Sequence, residues 1–145
     1  MGQQQLLLVI LVTIIVGIAT VVAINVFGTS AASANADAVR NDVLGIASSA
    51  QGWYIKPEMM GGGGNSFDGM TFNDFNFSAD SIDTNDGLSA VNMNGTYVIV
   101  NSDQTFTVTA HPASDEDYDA SEDFPTASTG GRLVATVSKG GVDWD

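Results

Sequence analysis

The sequence predicts an α+β protein: a long N-terminal α-helix with a small antiparallel β-sheet head packed on its C-terminal half, a lollipop in outline. Three observations predict it. An unbroken apolar run fills residues 6–27. An alanine-rich stretch with apolar residues at helical spacing follows it, and no proline occurs before Pro57. Short alternating segments bounded by Gly, Asn and Asp then fill much of residues 88–138. Residues 1–55 are therefore assigned to the helix and residues 56–145 to the head.

The first element is the run LLLVILVTIIVGIATVVAINVF, whose polar members are Thr13, Thr20 and Asn25. About 20 apolar residues in a helix cross the ~30 Å hydrocarbon core of a bilayer. A single segment in lipid can satisfy its backbone only as a helix. Ala34-Asn35-Ala36 has the form of a signal-peptide cleavage site, but such signals carry an apolar region of about 7–15 residues behind a basic start. Here the first base is Arg40. Residues 6–27 are expected to span a membrane before assembly and to pack among other helices after it. The expected bundle core is Leu6, Leu7, Leu8, Ile10, Leu11, Ile14, Ile15, Gly17, Ile18, Val21, Val22, Ile24 and Phe27. Thr13 with Gly17, and Ala19 with Ala23, have the small-xxx-small spacing that allows close helix contact.

The helix is expected to continue to Gln51 or Tyr54. Ala36, Val39, Val43, Ile46, Ala50 and Trp53 recur at intervals of three and four, a stripe on one helix face. Asp37, Arg40 and Asp42 fall off it. Val39, Val43, Ile46, Ala50 and Trp53 are expected to pack against the head. Gly28-Thr29-Ser30 is the expected place for a bend, since each Gly costs up to about 1 kcal/mol of helix relative to Ala.

Pro57 stops the helix, and Gly61 to Gly64 reads as a linker or loop tip. Phe67, Phe72, Phe75 and Phe77 come next among polar residues and suit a head core or a subunit interface. Strands are expected at 95–100, 104–110 and 132–138, with 88–93 as a fourth, and a turn at 101–103. Phe106, Val108 and Ala110 alternate with Thr105, Thr107 and Thr109, so the threonine face is expected to meet solvent. Residues 112–131 read as an acidic loop.

Charge is segregated as sharply as hydropathy. The 145-residue chain carries 17 acids and 4 bases, a formal charge of −13, yet no charged side chain occurs before Asp37. Nucleic acid is not an expected partner, because its phosphates select Lys and Arg. With no cysteine, a disulfide scaffold and thiolate chemistry are excluded. Dense carboxylates keep a surface hydrated and repel one another, and salt screens that repulsion. Such a head suits a salt-rich medium.

Catalysis is not expected. His111 is the one histidine and reads as a surface residue at a strand end. No serine stands in a nucleophile-elbow context. No cofactor is expected. Calcium is the one metal considered, at Asp80, Asp83, Asn85 and Asp86, where oxygen ligands alternate before a Gly. A solvated turn of Asx residues reads the same residues without a metal. Asn76 and Asn94 open glycosylation triplets, Asn76-Phe77-Ser78 and Asn94-Gly95-Thr96.

Taken together, the short polar start Met1 to Gln5, the uncharged spanning helix, the helix end Ala50-Gln51-Gly52-Trp53-Tyr54-Ile55-Lys56-Pro57 preceded by Asp42, Ile46 and Ala47, and a small antiparallel head resemble the type IV pilins. The resemblance implies a helical homopolymer with bundled N-terminal helices inside and heads outside. It implies storage of the subunit in the cytoplasmic membrane, extraction by an ATP-driven pilus assembly machine, and an extracellular filament on the cell surface. A membrane-anchored or tip-located minor pilin or adhesin, or a secretion-system pseudopilin, is the alternative. The chain departs from the common pattern at its start. Cleavage after Gly2 would make Leu7 the fifth residue, whereas a mature chain starting at Met1 has Gln5 there, so the usual glutamate is absent either way. Archaeal pilins also lack it.

Overall fold

The computed structural model describes residues 2–114 and 133–145. Its order is one α-helix, α1 (Gly2–Ile55), a single 3-10 turn (Glu58–Met60), and six strands: β1 (Ser81–Ile82), β2 (Ser89–Asn92), β3 (Gly95–Asn101), β4 (Thr105–Pro112), β5 (Leu133–Ser138) and β6 (Gly141–Trp144). The fold class is α+β. The chain divides into two compact units, Met1–Ala34 and Asn35–Asp145.

The first unit is helix alone. Its backbone is α-helical through Gly28, Thr29 and Ser30, so no helical turn is lost at the place where the sequence suggests a bend. Intrahelical hydrogen bonds hold Gly28 at a modest propensity cost that its neighbours offset. The hydroxyls of Thr13, Thr20 and Thr29 donate to the carbonyls of Val9, Val16 and Asn25 at 2.8, 2.8 and 3.0 Å. Each hydroxyl is thus satisfied within its own helix, which makes it tolerable in an apolar setting.

In the second unit, residues from Asn35 onward lie against an antiparallel meander of order β1-β2-β3-β4-β5-β6. Every neighbour in sequence is a neighbour in space, as antiparallel pairing with short connections favours. Tyr97 faces Ala110, Ile99 faces Val108 and Asn101 faces Phe106 across β3 and β4. Phe106 and Val108 in turn face Val137 and Ala135 of β5. The apolar members of this inward set, together with Ala90, are fully buried, as are Val39, Val43, Ile46, Ala50, Phe67, Met70 and Phe72. Ala47 and Tyr54 complete the helix's contribution to the same core. Trp53, Phe75 and Phe77 are partly buried against it.

Ring contacts extend the core beyond the sheet. Phe67 packs between Tyr54 and Phe106, with ring centroids 4.5 and 5.1 Å away. Phe72 contacts Phe75 and Phe77 at 5.6 and 5.5 Å, and Phe77 meets Tyr97 edge-on at 5.2 Å. Such pairs add about 0.5–1.5 kcal/mol each to area burial. They fasten a long segment that has little strand of its own.

The helix ends at Ile55 because Pro57 disfavours helical geometry at Lys56. The sequence suggested a linker or loop tip at Gly61 to Gly64; the glycines form a tight loop that folds back as a cap. The N–H groups of Gly63, Gly64 and Asn65 donate to the carbonyls of Trp53, Lys56 and Tyr54 at 2.9, 3.0 and 2.8 Å. Carbonyls of a final helical turn have no partner within the helix, so the returning chain supplies them. The approach is too close for side chains. A Cβ on Gly62 would overlap the Lys56 carbonyl oxygen, and one on Gly63 would overlap the Ser66 oxygen and the Trp53 ring. Gly63→Ala is expected to cost about 1–3 kcal/mol, the usual range for overpacking. Thermal unfolding of the full chain in detergent checks it, with Gly52→Ala as the clash-free control: it meets nothing within 4 Å and should leave stability unchanged or raise it by up to about 1 kcal/mol.

Two further expectations change. β1 and β6 add an edge strand at each side, and β6 closes a two-residue hairpin in which Ser138 faces Gly141. On the outward face, Thr96, Thr109 and His111 are buried, the last two at 5% and 6% exposure. The threonine face is therefore not wholly solvated, and His111 is not a surface residue. Alternation tells which residues share a face, but not whether something covers it. The acidic loop expected at 112–131 falls almost entirely outside the described residues.

Candidate functional site

Two surfaces carry the residues singled out by sequence, one in each unit. In the first unit, each large apolar side chain between Leu6 and Phe27 is exposed, from 49% at Val12 to 76% at Phe27. Leu6, Leu7, Leu8, Ile10, Leu11, Ile14, Ile15, Ile18, Val21, Val22, Ile24 and Phe27 lie all around the helix and are left exposed among the described residues. A Cβ at Gly17 would meet nothing within 4 Å. This helix is long and apolar enough to cross a membrane, and none of its apolar window is buried within the chain. An apolar helix this long has no stable place in water, because roughly 25 cal/mol is lost per Å² left exposed. Its chemistry is to be covered, by lipid or by other helices.

In the second unit, polar residues flank the buried stripe Val39, Val43, Ile46 and Ala50 and pin the helix to the sheet. Asp42 is the centre. One carboxylate oxygen accepts from the Tyr97 hydroxyl at 2.6 Å, the Asn94 amide at 2.8 Å and the Asn92 amide at 3.0 Å. Asn35 donates to the Asn94 carbonyl at 3.0 Å and accepts from the Ser114 N–H at 3.1 Å. Farther along, Gln51 donates to the Ser138 carbonyl at 3.1 Å, and the Tyr54 hydroxyl donates to Gln104 at 3.3 Å. The turn between β2 and β3 is shaped to fit this seam. The Asn92 side-chain oxygen accepts from the N–H groups of Asn94 and Gly95 at 2.9 and 3.2 Å, an Asx turn. Sequence reasoning placed Asp42 off the apolar stripe and went no further. The signal was its neighbourhood: a lone acid beside a buried helix face needs donors, and Asn92 and Asn94 are close-set amides.

The electrostatics of Asp42 derive from those contacts. Burial pushes its carboxyl upward, but hydrogen bonds from Asn94, Tyr97 and Asn92 outweigh burial and hold it below the ordinary value of 3.8. The ionised form is thus favoured in the folded state more than in the unfolded one. This contribution to stability is fully present above the unfolded value, near pH 4, and is lost as pH falls through the lowered folded value. Denaturant midpoints measured from neutral pH to about pH 2 are expected to fall more steeply for the native chain than for Asp42→Asn. Parallel curves would show that the carboxylate contributes nothing. By contrast, Arg40 pairs with Asp37 at 3.0 Å on the exposed side of the helix, where an ion pair adds little.

The calcium candidates are engaged in local turns. The Asp83 carboxylate accepts from both nitrogens of Asn85 at 3.0 and 3.1 Å, and that of Asp86 from the Leu88 N–H at 2.9 Å. Asp80 donates its N–H to the Val91 carbonyl. Among the described residues no group of three or more carboxylate or imidazole side chains converges on a point. The two glycosylation triplets are placed differently. Asn76 is exposed, whereas the amide nitrogen of Asn94 is engaged by Asp42 in a partly buried contact. Comparison with protein-family models, with characterised proteins and with solved structures finds no match.

Proposed function

We propose that this chain is the structural subunit of an extracellular type IV pilus-like filament, held together by bundling of its N-terminal helices. One observation carries the reading: residues 6–27 form a helix that is apolar on every side, uncharged and, among the described residues, nowhere buried. A membrane covers such a helix while the subunit waits. Other copies of the same helix cover it equally well, so transfer from bilayer to bundle conserves apolar burial and needs little net driving force.

The threonine hydroxyls support the same reading. Because they bond within the helix, they are satisfied in either setting and demand no particular neighbour. The head supports it too. Its core is built on residues Val39 to Tyr54 of its own helix, so it needs no partner to bury its sheet. An acidic exterior keeps such heads hydrated while the helices associate. The subunit would be inserted in the cytoplasmic membrane and released from it by assembly machinery.

Electron microscopy of cells producing the full chain tests the proposal. Surface filaments in which mass spectrometry finds this chain as the repeating component are expected. A chain found only as a monomer in membranes would overturn the filament and leave an anchored head.

A further inference from the structure

We propose that Asn76 is an N-glycosylation site and that, of the two Asn-x-Ser/Thr triplets, it alone carries a glycan. Asn76-Phe77-Ser78 lies before β1 in a segment without helix or strand. The Phe77 N–H donates to the Phe75 carbonyl at 3.1 Å, and the Ala79 N–H to the Phe77 carbonyl at 3.0 Å. Asn76 and Ser78 thus sit at the centres of two consecutive three-residue turns. The side chain between them is the anchor: Phe77 is half-buried against Phe72 and Tyr97. Asn76 and Ser78 are both exposed. The triplet is held from beneath by its middle residue, and its two polar groups are presented outward.

The second triplet is built in the opposite way. The Asn94 amide nitrogen, the atom a glycan would take, donates to Asp42 at 2.8 Å. Its hydroxyl-bearing residue, Thr96, is 2% exposed within β3. A Cβ at Gly95 between them would overlap the His111 carbonyl oxygen. There is no room for a transferase to grip this stretch, and a sugar there would separate α1 from the β2–β3 turn.

The reaction is a group transfer from a lipid-diphosphate-linked oligosaccharide. The Asn76 amide nitrogen attacks the anomeric carbon. A C–N bond forms, the bond from that carbon to the phosphate oxygen breaks, and the lipid diphosphate leaves. The nitrogen passes one of its two protons to a base of the transferase and keeps the other, and the electron pair of the broken bond leaves on the diphosphate.

Asn76 meets such a transferase only where the head faces away from the cytoplasm, so the site rests on the proposed filament subunit. The test uses the full chain, produced in cells that possess an N-oligosaccharyltransferase and a known acceptor protein. Intact cells are shaved with protease, and the released peptides are weighed. The Asn76 peptide is expected to be heavier by a sugar chain, and the Asn94 peptide unmodified. Asn76→Gln and Ser78→Ala are expected to remove the added mass, and Ser78→Thr to keep it. An unmodified Asn76 on a released head, with the control acceptor modified in the same cells, would overturn the site and leave the outward head standing. A glycan on Asn94 would overturn the selection between triplets. A head that stays protected until the cytoplasm itself is opened would overturn the topology, the filament reading and the site together.

Discussion

Gly17→Arg is expected to abolish filaments while leaving the head folded. Gly17 stands in the middle of the apolar run, and a Cβ built there meets no atom beyond its own helical turn within 4 Å. The substitution therefore cannot act by a clash within the subunit. It acts through whatever covers the helix. In a bundle, a guanidinium without a partner costs about 3–5 kcal/mol, and a filament repeats that cost at every subunit. In a bilayer the same residue at a helix centre costs about 2.5–3.5 kcal/mol on insertion scales, so the membrane fraction must be assayed beside the filaments. Gly17→Leu separates the two settings. It inserts readily and adds bulk only where helices approach closely, so shorter or fewer filaments are expected from it. Normal filaments from Gly17→Arg would remove the buried bundle from consideration.

How much of this was legible depends on how far each signal reaches along the chain. The long helix could be read because hydropathy, charge and spacing are local, and each persists over many residues. Although the strand order was not legible, the antiparallel sheet could be read because β4 and β5 alternate in sequence and β3 is a short β-branched and aromatic run between turn residues. β1 could not, since two residues carry no period. The glycine cap could not, because a run of glycines looks the same whether free or folded back. Only the meeting of Gly63 with Trp53 and Ser66 shows that side chains are excluded there. His111 reads as a surface residue from its place at a strand end, whereas its burial depends on contacts that the sequence of one strand does not carry. As for the candidate surface, the sequence indicated which residues are apolar but not what they touch, and among the described residues the large apolar side chains of 6–27 are left exposed. The seam stayed hidden for a related reason: Asp42 lies 50 to 55 residues from its donors.

That separation makes Asp42 the polar residue whose loss should most weaken the hold of α1 on the sheet. The apolar stripe of α1 can slide or rotate slightly on the sheet at modest cost, since hydrophobic contact is not directional. The Asp42 carboxylate is directional. It fixes the helix against the β2–β3 turn through Asn92 and Asn94 and against the buried ring of Tyr97. Asp42→Ala removes three charge-assisted bonds and strands three donors. Each bond to a charged group is worth about 1.5–3 kcal/mol, but the three share one oxygen at a partly exposed position, so they cannot simply be added. A loss of about 3 kcal/mol is expected, lowering the unfolding temperature of the full chain in detergent by roughly 10 °C. Asp42→Asn keeps one acceptor oxygen without the charge and should fall between. Tyr97→Phe removes one donor without emptying the core, and should cost about 1–2 kcal/mol in the native background and far less with Asp42→Ala. If the two losses instead add fully, the hydroxyl and the carboxylate are not coupled, and the helix is held on the sheet by its apolar face alone.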